Sequence, residues 1–452
     1  MHATPSTGDT ELIAVIQPHL DARDFAGIAE LIASADRRRL AGLLERLPTR
    51  QRAVVYRLLP KDRANEVFER LSPPLQGELI RGLQDAEVAA IFAELDPDDR
   101  VWLLDELPAG ITQRLLHGLS VKERQLTAEV LGYPKGSVGR RMTPEYVSTR
   151  FDHTVERAMR RVHERIADAE TIYTLPVLDD GRRVVGVVSL RDLLRADAGT
   201  QIAEIMRPAQ SATAYDDAED AARHCADLGL LALPIVDRES RLVGVLTIDD
   251  AIRILEQEES EDAARQGGVE PLRRPYFATP LRTLVASRIV WLLVLAVGAA
   301  LTVQVMSVFE ATLEQITVLA LFVPLLIGTG GNTGNQAATT ITRALALGDV
   351  RPTDLGRVLL RELGVGAILG AVLGIIGGGT TTLVFEPRFG IVIGLTILAV
   401  CAMAATIGGI MPMIARALRV DPAVFSNPFI TTFVDASGLV IYFLIAQAVL
   451  QP

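Results

Sequence analysis

Residues 422–450 read PAVFSNPFITTFVDASGLVIYFLIAQAVL, an apolar stretch whose one formal charge is Asp435. A helix needs about 20 mostly apolar residues to cross a bilayer, because hydrocarbon offers no partner to free backbone groups. Four uncharged runs precede this stretch: Ile289–Phe309, Gln315–Thr342, Leu363–Phe385 and Phe389–Ala415. Each is long enough to span, so five transmembrane helices are expected. A carboxylate in mid-bilayer costs a few kcal/mol, so Asp435 should face protein or water.

The rest of the chain has a different character. Its 452 residues carry a net charge of −10, yet from Tyr276 onward nine Arg, no Lys and eight carboxylates leave +1, so residues 1–275 carry −11. A nucleic-acid binder would be basic, so no nucleic-acid partner is expected. The two cysteines, Cys225 and Cys401, lie in different halves and imply no disulfide framework. Met1–Thr10 is polar, with Pro5 and Gly8, so no cleavable signal peptide is expected. Arg273, Arg274, Arg282 and Arg288 precede the first run. Arg343, Arg351, Arg357 and Arg361 follow the second, and Arg416 and Arg419 follow the fourth. The positive-inside rule then places the N-terminal half in the cytoplasm and the C-terminus outside a cell membrane.

Asn427, Thr431 and Asp435 recur every four residues and share one helix face. Oxygen donors with a single carboxylate suit a hard, hydrated cation such as Mg²⁺. All six His lie before Tyr276, which argues against zinc or copper in the spans. The second run ends in Gly328-Thr-Gly-Gly-Asn-Thr-Gly-Asn-Gln336, with no GK[ST] ending for a phosphate loop. Four glycines are expected to break or kink a membrane helix. Two readings are open: a second wall of an ion path, with Gly331, Asn332 and Asn335, or a loop at the membrane surface. Gly366, Gly370, Gly374 and Gly378 leave a smooth groove in the third run, for a gating contact or for plain helix packing.

Two repeats organise the acidic half. Leu175-Pro-Val-Leu-Asp179 returns as Leu233-Pro-Ile-Val-Asp237, and Val184-Val-Gly-Val-Val-Ser-Leu-Arg-Asp192 as Leu242-Val-Gly-Val-Leu-Thr-Ile-Asp-Asp250, both offset by 58. Met142-Thr-Pro144 returns as Met206-Arg-Pro208. Short strands followed by helices are expected. The arrangement resembles a tandem pair of CBS domains. That resemblance implies either a regulatory module binding adenine nucleotides, with Ser189/Asp192 or Thr247/Asp250 touching ribose, or a structural dimerisation module. Further upstream, Leu47, Leu59, Leu71, Leu83, Leu95, Leu107 and Leu119 recur every 12 residues, with Pro48, Pro60, Pro73, Pro97 and Pro108 nearby. Short helices opened by proline and stacked as a right-handed solenoid would bury such leucines. Ile252–Gly267 reads as a helix carrying Glu256, Glu258, Glu259, Glu261 and Asp262, whose mutual repulsion divalent cations would screen. A solvated linker is the other reading.

The fold class expected is therefore a multidomain membrane protein: an α-helical superhelical N-terminal domain (1–135), an α/β tandem CBS pair (136–200 and 201–253), an acidic connecting helix (254–280) and a five-helix transmembrane domain (281–452). This arrangement, together with Gly328–Gln336, Asp421-Pro-Ala-Val-Phe-Ser-Asn-Pro428 and Thr431-Thr-Phe-Val-Asp435, resembles the MgtE family of magnesium channels. The resemblance implies a homodimer in the lipid bilayer with one shared pore, Mg²⁺ as transported ion and cytosolic signal, and ATP bound by the CBS pair in some members. It makes Asp435 the pore carboxylate, with Asn335 and Asn427 beside it. Asp98, Asp99, Asp250 and Glu256–Asp262 are sensor candidates by charge. A proton- or sodium-coupled divalent-cation transporter and a nucleotide-sensing receptor without transport are the alternatives. With no nucleophile–base constellation and no phosphate loop, an enzyme is not expected.

Overall fold

A computed structural model describes residues 7–22, 24–83, 85–105, 107–272, 276, 279–418 and 427–450. The chain divides into two compact units, Met1–Glu259 with Arg273–Thr279, and Ser260–Leu272 with Pro280–Pro452.

The first unit opens with short helices: α1 (Thr7–Ala22), α2 (Phe25–Ala33), α3 (Arg37–Arg46), α4 (Thr49–Arg57), α5 (Lys61–Glu69), α6 (Pro73–Gly82), α7 (Asp85–Glu94), α8 (Pro97–Asp105), α9 (Ala109–Gly118) and α10 (Val121–Leu131). Pro48, Pro60 and Pro108 stand at N-caps and Pro73 and Pro97 at first helical positions, where a missing N–H costs nothing. The 12-residue leucines fall just beyond the helix ends, and all but the half-buried Leu83 are buried in one continuous core.

A longer period is superposed. Arg52, Gln76, Arg100 and Arg124 each take the fourth position of α4, α6, α8 and α10, spaced by 24 residues. Each reaches back to carbonyls at the end of the preceding helix. Arg52 Nε donates to Leu44 O at 2.7 Å, Gln76 Nε2 to Phe68 O at 2.8 Å and Arg100 Nε to Phe92 O at 3.0 Å. Arg124 Nη2 donates to Leu119 O at 3.0 Å. The last carbonyls of a helix have no partner within it and favour a cation, so these side chains bind successive helices into pairs.

The α/β part carries β1 (Thr149–Arg150), α11 (Val155–Arg165), β2 (Thr174–Leu178), β3 (Val184–Ser189), α12 (Leu190–Arg195) and α13 (Ile202–Ile205). Then come β4 (Ala212–Thr213), α14 (Ala218–Asp227), β5 (Ala232–Val236), β6 (Leu242–Thr247) and α15 (Ile248–Gln266). Two sheets form, ordered β1-β2-β3 and β4-β5-β6. The 58-residue offset is kept in the register: Leu175 faces Val188 and Leu233 faces Leu246, with a bulge at the same place in both hairpins. The opening segments cross over. Thr143 pairs with Val245 of the second sheet and Arg207 with Val187 of the first. The repeated glycine permits the crossing, since a Cβ at Gly244 would lie 2.8 Å from Thr143 O and one at Gly186 2.9 Å from Arg207 O. Val138 and Met142 accordingly sit in the second core and Ile202 in the first. The chain thus crosses between modules on either side of residue 200. The acidic helix begins at Ile248, so no break separates the second repeat from Glu256–Asp262.

The second unit holds five helices long and apolar enough to span a membrane. They are α16 (Leu281–Val308), then, after the short α17 (Glu310–Gln315), α18 (Val323–Ala346), α19 (Leu355–Val384), α20 (Pro387–Ala417) and α21 (Asn427–Leu450). A 3₁₀ turn, Thr317–Phe322, leads into α18. Gly366, Gly370, Gly374 and Gly378 of α19 lie against the backbone of α20. A Cβ at Gly374 would stand 2.6 Å from Gly394 O, and one at Gly370 2.8 Å from Leu398 Cα. Here the small-residue stripe is a packing seam.

The expectation that Gly328–Gln336 breaks its helix is corrected: α18 runs through it without interruption. These glycines admit neighbours instead of exposing carbonyls. A Cβ at Gly330 would meet Val400 Cγ1 at 2.6 Å, at Gly331 Thr431 Cγ2 at 2.8 Å, and at Gly334 Ile430 Cγ2 at 3.1 Å.

Candidate functional site

The close approach at Gly331 brings polar groups of α18 and α21 together within the membrane unit. Thr431 Oγ1 donates to Asn427 O at 2.9 Å and accepts from Asn335 Nδ2 at 3.0 Å. The first bond uses the only hydroxyl proton, which fixes the Asn335 amide with its nitrogen toward Thr431. Asn335 Oδ1 is then buried without a donor among the described residues, and so is Asp435 Oδ1, one turn beyond Thr431 on α21. Buried oxygens are normally satisfied, so these two acceptors on neighbouring helices are groups that could hold a cation or its water shell. Asn332 is exposed, apart from this group, and Gly331 contributes space. Asp421–Ser426 of the quoted motif lie outside the described residues, as do Arg273, Arg274 and Arg419.

A second polar centre lies in the first unit. Carboxylate oxygens of Asp98 (α8), Glu170 (before β2) and Asp250 (α15) lie within 4.8 Å of one another. Asp98 and Asp250 are 4% and 7% exposed, and Asp98 Oδ1 has no hydrogen-bond partner among the described residues. Burial, then the charges of Glu170, Asp250 and their neighbours, holds the Asp98 carboxyl well above its ordinary range. Burial followed by Asp250 lifts Glu170 to about 8, and burial lifts Asp250 to about 6. Three acids this close cannot all ionise cheaply without a cation. Asp99 turns instead to Arg253, whose Nη1 lies 3.0 Å from its Oδ1. Arg253 and Arg141 both lie over the Trp102 ring as cation–π partners, with centroid distances of 5.5 and 4.0 Å.

Of the charge-based candidates, Asp98 and Asp250 therefore come together, and Glu170 joins them from a loop that carries no motif. Glu256, Glu258, Glu259, Glu261 and Asp262 are outside this trio, and Glu261 pairs with Arg265 at 3.2 Å. The two Ser/Thr–Asp pairs also part company. Ser189 Oγ donates to Asp192 Oδ2 at 2.7 Å, beside Arg207 at 3.3 Å. Thr247 Oγ1 donates to Asp250 Oδ2 at 2.8 Å, but that carboxylate already belongs to the acidic trio. Asp250 is buried, whereas Ser189 and Asp192 are half-buried.

Repeated short helices, a crossed pair of α/β modules and a five-helix membrane unit with orphan oxygens define a multidomain, multi-pass membrane protein built to handle cations. Family models agree: the intracellular N domain of MgtE matches residues 35–136, the CBS domain 136–199 and 202–257, and the MgtE divalent cation transporter domain 323–445. The magnesium transporter MgtE of Thermus thermophilus is 38% identical over 450 residues, 98% of this chain and 99% of its own. That of Enterococcus faecalis is 35% identical over 325 residues, 71% of this chain and 70% of its own. The chain belongs to the MgtE family. Its first unit is similar to the crystal structure of the cytosolic domain of the Mg²⁺ channel MgtE in complex with ATP, at 36% identity and a TM-score of 0.50, covering 54% of this chain and all of that one.

Proposed function

We propose that this protein carries Mg²⁺ across a cell membrane through a path at the interface of two identical chains, and that cytosolic Mg²⁺ closes it. The observation that carries the reading is the pair of orphan oxygens, Asn335 Oδ1, whose amide is oriented by Thr431, and Asp435 Oδ1, one turn along α21. One carboxylate per chain, doubled by a two-fold axis, gives a −2 ring matched to one hydrated divalent ion. Asn427 and Asn335 orient its water shell. The arginine pattern supports a cytosolic N-terminus and an external C-terminus.

Asp98, Glu170 and Asp250 would hold regulatory Mg²⁺ and draw α8 toward α15. Glu256–Asp262, farther along the same helix, would add a looser screen. Since α15 begins in the first unit and ends in the second, a metal that favours one arrangement of its N-terminal acids biases the membrane helices by differential affinity. Ser189 and Asp192 are the pair suited to a regulatory ATP.

The test is Mg²⁺ flux into liposomes containing only the purified protein, with internal Mg²⁺ varied. Asp435→Ala should abolish flux and leave a folded dimer; retained flux removes the pore assignment. Flux driven by an imposed pH or sodium gradient would favour the coupled-transporter alternative.

A further inference from the structure

A cavity of about 390 Å³ runs beside the edge strand β1, closed by α11 and by the turn between β2 and β3. Four guanidinium groups line it, from Arg150, Arg161, Arg165 and Arg182. Arg150 is neutralised by Asp152, at 3.0 Å, and by Asp180. Arg161, Arg165 and Arg182 make no side-chain hydrogen bond or ion pair among the described residues. Two carboxylates also line the hollow: Asp179, which accepts from the Arg183 backbone N–H, and Asp180, which pairs with Arg150. Four guanidinium groups against two acids leave a net positive charge that favours an anion.

The second repeat serves as an internal control. Arg150 pairs with Leu178 as Thr213 pairs with Val236, so these two positions are equivalent. Counting from the N-caps Thr154 and Asp217, Arg161 corresponds to His224 and Arg165 to Leu228. Arg182 and Ser240 take the same turn position, with φ of 63° and 64°. The second repeat forms the same strands and helix without one of these arginines, so folding does not require them. At a turn position that favours glycine or asparagine, Arg182 even accepts a backbone conformation uncommon for long side chains.

We infer that this arginine-lined cavity in the first repeat is a binding site for a phosphate-bearing small anion, separate from both Ser/Thr–Asp pairs. Its lining includes none of Ser189, Asp192, Thr247 and Asp250. Guanidinium forks match phosphate oxygens in pairs, and the volume falls within the range of small-molecule sites. Tyr146, its hydroxyl donating to Leu242 O at 3.4 Å, supplies an aromatic wall for an organic part of the ligand.

The experiment uses the full chain in detergent, free of phospholipid and of Mg²⁺, titrated calorimetrically with inorganic pyrophosphate at low ionic strength. One pyrophosphate per chain is expected. Arg161→Gln with Arg165→Gln should weaken binding by about tenfold or more. Arg182→Gly, which suits the positive φ, should weaken it without loss of fold. Asp192→Asn should leave it within about twofold. The inference is overturned by an absence of binding, or by affinity that ignores the arginine changes and falls with Asp192→Asn. Two nanodisc arms identify the source. Competition by phosphatidylglycerol, but not phosphatidylcholine, assigns the anion to a lipid headgroup, and undiminished pyrophosphate binding in both assigns it to a soluble compound.

Discussion

Arg253 of α15 donates from Nη1 to Asp99 Oδ1 of α8 at 3.0 Å, while the same nitrogen stands 3.5 Å from Asp250 Oδ1. One fixed positive charge is thus placed beside the acidic trio. It does part of what a metal ion does, holding α8 to α15 when no cation is bound.

Replacing Arg253 with Met should therefore make the association of these helices depend more on metal. We expect thermal stability in a chelator to fall by about 1–2 kcal/mol, a figure moderated by the partial exposure of Arg253. Millimolar Mg²⁺ should recover most of the loss, and its affinity should rise. Thermal melts with and without Mg²⁺ measure both. Equal losses in the two conditions would separate Arg253 from the metal site.

A pH titration tests the same acids. Glu170 is lifted from 4.5 to about 8 and Asp250 from 3.8 to about 6, in each case first by burial. Above the ordinary values the folded chain keeps protons that an unfolded chain has released, so rising pH favours unfolding until the folded values are passed. Metal-free stability should accordingly decline between about pH 4 and pH 8. Mg²⁺ needs the ionised acids, so its affinity should increase over pH 6 to 8.5, with proton release on binding. Calorimetry in buffers of different ionisation enthalpy reads that release.

In the membrane unit, Thr431→Val keeps the shape of the junction but removes both of its hydrogen bonds. The Asn335 amide then loses its acceptor, an expense of about 1–3 kcal/mol if it stays buried. The expected result is a correctly assembled protein with Mg²⁺ flux reduced severalfold. Thr431→Ser, which preserves the hydroxyl, should retain most of the flux.

The α19–α20 seam predicts a different phenotype. At Gly374 the obstructing atom is Gly394 O, which has no rotamer with which to give way. Gly374→Val should force the two backbones apart and lower stability in detergent by about 1–3 kcal/mol or more. Gly379, with open space around its Cβ position, should accept Ala far more readily. Melting temperatures of the two variants make the comparison.

The five spans were legible because uncharged runs of bilayer length have few other uses, and the α/β pair because its offset recurs as strand register. Gly328–Gln336 was misleading for a physical reason. Glycine weakens an isolated helix, but between crowded neighbours its missing Cβ is what lets α18 continue against Val400, Thr431 and Ile430. Glu170 could not be found by motif, since only folding brings its loop to α8 and α15. The ladder of Arg52, Gln76, Arg100 and Arg124 was readable in principle, but one Gln among arginines and a stronger 12-residue leucine pattern concealed it.

That ladder restricts how such an array can change length. Adding or deleting one helix would split the pair at that point and leave a helix end unserved or a carbonyl-binding side chain facing the wrong helix. Growth or loss by hairpins of 24 residues preserves every match, so viable insertions here should come two helices at a time.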